Sequence, residues 1–245
     1  MALLLGACGR GPTGGPADRP SRRTAPEESL APRSRPVAPE ERSVAEPPSR
    51  PLSSLGAGSA AESPTIVFLG TSLTAGLGLD PDSAYPAVLQ RKLDSAGLRY
   101  SVVNAGVSGE SSAGALRRID WILRQPPAIL VIETGANDAL RGQEPDSIRA
   151  NLQAMIDRTR ARAQGTRIIL AGMEAMPNLG SRYVRRFRDI FPALARANHV
   201  ELIPFLLDEV GGIDSLNQQD GIHPNEAGAR VVADNVWKVL VPLLR

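Results

Sequence analysis

The chain has 245 residues, and 28 Lys+Arg stand against 26 Asp+Glu for a formal net charge of only +2. No basic face interleaved with aromatic residues appears, which excludes the groove of a nucleic-acid-binding protein. The single cysteine, Cys8, excludes an intrachain disulfide and argues against a structural zinc site.

Composition divides the chain in two. Residues 1–64 hold 11 of the 21 prolines and no aromatic residue. Such a segment cannot bury enough apolar surface to offset its ordering entropy, so a disordered or extended tether is expected there. Residues 65–245 are ample for one domain with a sizeable core. Near the start, Leu5-Gly6-Ala7-Cys8-Gly9 is similar to the bacterial lipobox, in which the cysteine carries a lipid. Met1-Ala-Leu-Leu-Leu is too short for a signal peptide and lacks a basic leading region. Lipidation of Cys8 therefore needs a start further upstream; the alternative is a chance match. The first reading implies a periplasmic protein anchored to the membrane through the Cys8 lipid, the second a secreted one. No other stretch approaches the 18 or so apolar residues of a spanning helix.

From Thr65 onward, short apolar runs alternate with amphipathic segments. Ile66–Leu69 reads as the first strand, followed by helical spacing at Tyr85, Val88, Leu89, Lys92 and Leu93 with Gly97 as a stop. Tyr100–Val103 and Ala128–Ile132 read as the next two strands. Ile148, Leu152, Met155, Ile156 and Thr159 form a helical stripe, with Gly165 beyond it. Arg167–Ala171 is the fourth strand. Phe187, Ile190, Phe191 and Leu194 mark a helix that Pro192 could kink, and its dense arginines, Arg185, Arg186 and Arg188, read as a solvated face. Val200–Pro204 is the fifth strand, and Val232, Val236, Val239, Leu240 and Leu243 mark the last helix. Strands apolar on both faces and joined by helices imply an α/β sandwich with a five-stranded parallel sheet.

The chemistry lies in the segments that follow these strands. Gly70-Thr-Ser-Leu-Thr-Ala-Gly76 comes directly after the first strand, so Ser72 projects from the carboxyl end of the sheet, where open α/β sheets build their sites. Converging backbone N–H groups at such a turn would stabilise a developing oxyanion. The bland reading of Ser72 is a turn serine or helix N-cap. Gly-x-Ser-x-Gly, the signature of α/β-hydrolases, is absent because Thr74 occupies its second glycine position.

Asn104-Ala-Gly-Val-Ser-Gly109-Glu110 follows the second strand, with glycines that permit positive φ or close approach to a ligand. Gly135-Ala-Asn137-Asp138 follows the third, and an amide such as Asn137 can donate to an oxyanion without a charge to manage. Ordinary loop and turn readings remain open for both. Asp220-Gly-Ile-His223-Pro224 carries one of only two histidines. Three residues apart on a helix-like turn, the Asp220 carboxylate can hold Nδ1–H of His223 while Nε2 faces a serine. Pro224 could open the last helix. No further ligands accompany the pair, so no metal is expected, and His199 reads as a surface or packing histidine.

The four segments in this order resemble the blocks of the SGNH (GDSL-type) hydrolases over essentially residues 65–245. Within that family the chain looks most similar to bacterial thioesterase I/lysophospholipase and the arylesterases, as at Met176-Pro-Asn-Leu-Gly-Ser-Arg-Tyr183, Phe191-Pro and Ile203-Pro-Phe205. The resemblance implies a flavodoxin-like three-layer fold and a cofactor-independent esterase, expected to be a monomer, acting on small-molecule esters or thioesters. It implies Ser72 as nucleophile, His223 as base and Asp220 as its orienter. It also implies an oxyanion hole made by the backbone N–H of Ser72 and of Gly109 with the Asn137 amide. Thr71 departs from the family, which usually has Asp there, so hydrogen bonding in that turn is expected to differ. Two other readings stay open: a carbohydrate O-acetylesterase, and a tethered binding module without turnover. The segment Met173–Tyr183 is expected to set acyl-chain length.

Overall fold

The computed structural model describes residues 63–244. The readings of the lipobox, Cys8 and nearly all of the Pro-rich segment lie outside them.

Five parallel strands form one sheet in the order β2-β1-β3-β4-β5: β1 Thr65–Gly70, β2 Ser101–Gly106, β3 Ile129–Ile132, β4 Arg167–Ala171 and β5 Glu201–Ile203. The central strands are buried along nearly their whole length, as runs such as Ile129-Leu-Val-Ile132 require when helices cover both faces. The four connections between strands hold six α-helices, α1 Ser72–Ala75, α2 Tyr85–Ser95, α3 Ser112–Ile122, α4 Ala136–Leu140, α5 Pro145–Arg162 and α6 Ser181–Asn198, and α7 Glu226–Leu240 follows β5. Helices α2 and α7 pack together, while α3 packs on α5 and α5 on α6. The chain runs from β1 outward to β2 and then back across to β3, and right-handed crossovers put helices from the two directions on opposite faces.

Local chemistry starts and stops these helices as elementary capping rules require. Ser111 Oγ accepts the Gly114 N–H to begin α3, and Asn225 Oδ1 accepts those of Ala227 and Gly228 to begin α7. Pro145 takes the first position of α5. The core is aliphatic with a few aromatic anchors: Phe68 meets Tyr85 edge-on at 5.6 Å, and Phe187 meets Phe191 at 5.5 Å between centroids.

Several local expectations shift. Strand β2 runs on through Asn104, Ala105 and Gly106, which the sequence placed in a loop, because β1 pairs with it as far as Gly70. Helix α3 was not anticipated: its apolar positions are interrupted by Gly114 and the Arg117-Arg118 pair. Helix α6 continues through Pro192 to Asn198. His199 caps that helix in the left-handed region. Pro224 precedes α7 by two residues and bridges to Asn217 instead of opening the helix.

The direction of winding reverses between β1 and β3, which leaves a crevice beyond their carboxyl ends. Ser72 follows β1, Gly109 follows β2 and Asn137 lies in α4 just after β3.

Candidate active site

Ser72 is the first residue of the short helix α1, and its side chain is almost buried. Its Oγ lies 2.9 Å from Nε2 of His223. The other ring nitrogen, Nδ1, lies 2.7 Å from Oδ2 of Asp220. A carboxylate beside Nδ1 selects the tautomer with the proton there, which leaves Nε2 free to accept the Ser72 hydroxyl proton.

Asp220 and His223 do not sit on a helical turn. Gly221 at φ +69° bends the chain, and Oδ1 of Asp220 accepts the N–H groups of Ile222 at 2.9 Å and His223 at 3.0 Å. One carboxylate thus shapes the loop with one oxygen and orients the ring with the other. The His223 backbone N–H, then the His223 ring and the Ile222 N–H, hold the Asp220 carboxyl down at about 2.

Gly109 has φ +76°, a conformation that favours glycine, and its carbonyl accepts Nη2 of Arg141 at 2.8 Å. The Asn137 amide donates one N–H to the Glu110 carbonyl at 3.1 Å. An amide nitrogen carries two protons, so a second donor remains. Loop 107–111 is further held by Asp138, which accepts the Ser112 N–H and hydroxyl at 2.7 Å each. Glu110 forms a mostly buried ion pair with Arg118, whose Nη2 also reaches the Gly70 carbonyl at 3.3 Å. All five residues named from the sequence converge at one end of the sheet, and His199 lies elsewhere, beside Arg160 and Arg167.

Sequence reasoning passed over three contributors. Glu133 extends the buried run of β3 by one residue and accepts from Thr71 and Thr74; a carboxylate continuing an apolar strand was the available signal. Gln218 and Arg141 had no such signal, since polar residues in loops are ordinary. A narrow recess opens beside Ser72 and His223, lined by Leu73, Leu77, Leu79, Tyr85, Leu207 and Val232. Among the described residues no cluster of potential metal ligands occurs, and no helix is long and apolar enough to cross a membrane.

The model of the GDSL-like lipase/acylhydrolase family matches residues 68–231. Esterase TesA of Pseudomonas aeruginosa is 42% identical over 181 residues, spanning 74% of this chain and 89% of that protein.

The chain belongs to the GDSL-like lipase/acylhydrolase family.

This acylhydrolase is likewise 36% identical over 186 residues to the thioesterase 1/protease 1/lysophospholipase L1 of Escherichia coli K12, covering 76% of the chain and 87% of that protein. Among solved structures, AlinE4, an SGNH-hydrolase family esterase, superposes with a TM-score of 0.62 at 37% identity, over 76% of this chain and all of that one (100%). The fold class and the family read from the four blocks agree with these findings, and the chain is a carboxylic ester hydrolase of serine-esterase type.

Proposed function

We propose that this esterase cleaves acyl esters or thioesters through an acyl-Ser72 intermediate. One observation carries the reading: a continuous relay from Ser72 Oγ to His223 Nε2 at 2.9 Å and from His223 Nδ1 to Asp220 at 2.7 Å. His223 takes the proton as Ser72 Oγ attacks the acyl carbon, and Asp220 stabilises the resulting imidazolium. The carbonyl oxygen, now negative, meets the N–H of Ser72, the N–H of Gly109 and the free proton of the Asn137 amide. His223 then passes its proton to the departing alcohol or thiol, and water repeats the sequence on the acyl-enzyme. Thioester cleavage is supported by the name of the Escherichia coli relative.

The recess beside Ser72 and His223 is narrow, which supports a second reading within the same chemistry. A narrow recess lined mostly by apolar side chains suits a short acyl group, such as the acetyl of a carbohydrate O-acetylester. Rates across p-nitrophenyl esters from acetate to palmitate separate the two: a maximum at acetate supports the O-acetylesterase, a maximum at medium or long chains the acyl esterase or thioesterase.

Residues 1–64 are read as a tether to a membrane lipid on Cys8, with the enzyme in the periplasm. Deleting residues 9–63 is then expected to leave kcat/KM for a soluble ester unchanged. The mechanism is tested by a fluorophosphonate, which should label Ser72 in the wild type and nothing in Ser72→Ala. Hydrolysis near the wild-type rate by Ser72→Ala would overturn it.

A further inference from the structure

Glu133 follows the last residue of β3 and is fully buried, yet among the described residues no cation pairs with it. Arg118, whose guanidinium reaches this turn at the Gly70 carbonyl, is engaged by Glu110. Among the described residues, the hydrogen-bond partners of the Glu133 carboxylate all come instead from the segment that carries Ser72. Its Oε2 accepts the Thr71 N–H at 2.7 Å and the Thr74 hydroxyl at 2.9 Å, and its Oε1 accepts the Thr71 hydroxyl at 2.9 Å. The Tyr85 hydroxyl lies 2.7 Å from that of Thr74 and extends the chain into α2.

Two features show how closely this cluster is built into the turn. A Cβ on Gly70 would fall 1.9 Å from the Thr74 hydroxyl and 2.7 Å from Glu133, so only glycine lets β1 end against them. Thr71 stands at the N-cap of α1, yet its side chain makes no capping bond to that helix. Its hydroxyl turns instead to Glu133, just beyond the end of β3.

From this geometry we infer that Glu133 is the positioning residue for the nucleophile turn, setting the direction of the Ser72 N–H and Oγ by anchoring Thr71 and Thr74 on either side. A helix's first N–H groups have no intrahelical acceptor. Glu133 takes that of Thr71, while Ser72, the next residue, keeps its own N–H free to face an oxyanion. Burial pushes the Glu133 carboxyl above its ordinary range and the surrounding donors oppose that shift. Either protonation state keeps lone pairs for the Thr71 N–H, so the anchoring depends on hydrogen-bond geometry rather than on charge. The inference rests on Ser72 being the nucleophile.

The test compares Glu133→Ala, Glu133→Gln and Thr71→Val by kcat per titrated active site, KM and the rate of fluorophosphonate labelling. Misplacing a reacting group by about 1 Å costs on the order of 10²-fold. Glu133→Ala should therefore lose roughly that in kcat and in labelling rate, with KM little changed. Glu133→Gln, which keeps an acceptor and a matching shape, should restore most of it. Thr71→Val removes only the hydroxyl contacts and should show a smaller fall in the same direction, which decides the matter if Glu133→Ala does not fold. Folded variants with per-site kcat and labelling rates within about twofold of wild type would overturn the inference, as would a Gln variant as slow as the Ala variant. A wild type that fluorophosphonate does not label at Ser72 would instead sink the nucleophile assignment beneath it.

Discussion

Gln218 joins the segment after Ser72 to the segment around His223, donating its side-chain amide to the Leu77 carbonyl at 2.7 Å and to the Pro224 carbonyl at 3.0 Å. Its backbone N–H donates to the His223 carbonyl at 2.7 Å. The contact with Leu77 spans 141 residues of sequence and lies one turn from the nucleophile. Gly78 leaves the room for it, since a Cβ there would fall 2.2 Å from the Gln218 side chain.

That staple leads to the first prediction. Gln218→Ala frees the His223 loop from the Ser72 turn, so kcat should fall by about tenfold, within the range of small misplacements. Gln218→Glu should be slower still, because a carboxylate would face two carbonyl oxygens. Steady-state kinetics with equal or faster turnover in the Glu variant would show that the staple does not set the distance between Ser72 and His223.

Asn137→Ala removes one proposed oxyanion donor. The expected loss is roughly 10²–10³ in kcat, about 3–4 kcal/mol of transition-state stabilisation, with KM nearly constant. The Asn137 amide also holds the Glu110 carbonyl. A rise in KM with kcat preserved would therefore mean that the residue only shapes loop 107–111.

Asp220 is held down at about 2, below its ordinary value of about 3.9. A depressed carboxyl contributes stability that is present above the unfolded value and is lost as pH falls through the folded one. The difference in urea midpoint between wild type and Asp220→Asn should thus be constant near neutrality and close between about pH 4 and 2. Carboxyl NMR should place the Asp220 midpoint near 2. A midpoint near the ordinary value would show that the Ile222 and His223 N–H bonds do not form in solution.

The same substitution has a kinetic consequence. Asparagine can still accept the two backbone N–H groups, but its NH₂ faces Nδ1 of His223 and forces the other tautomer. Nε2 then carries the proton and cannot take that of Ser72, so kcat should fall by roughly 10⁴ while the fold persists. An Asp220→Asn enzyme within tenfold of wild type would rule out this role for the carboxylate.

Gly70→Ala probes the close approach of β1 to Glu133 and Thr74. The added methyl meets a buried hydroxyl at 1.9 Å, an overpacking that costs about 1–3 kcal/mol. Urea unfolding should show a lower midpoint with an unchanged slope. Wild-type stability would mean that the turn relaxes freely.

Residue type and spacing determined the sheet, and the resemblance carried by the four blocks supplied the family and the five converging residues. Buried parallel strands must be apolar on both faces, and residues after the ends of neighbouring strands must meet at one edge of the sheet. That rule places the run Ile129–Ile132 and the Ser72, Gly109 and Asn137 segments, whereas Asp220–His223 lies well beyond the end of β5 and was assigned through the resemblance. Helix α3 escaped because its amphipathic pattern is broken by Gly114 and by Arg118, which turns inward to Glu110. Only the tertiary structure decided what steadies the site. Glu133 and Thr71 are 62 residues apart, and Gln218 and Leu77 are 141 apart. A hydrogen bond between distant polar residues leaves no periodicity in a sequence, because its partners are matched by position in space and either residue alone looks like any other polar side chain. The physical reason is directional: burial imposes a repeat on a chain, whereas a carboxylate or an amide asks only that one donor or acceptor arrive within about 3 Å.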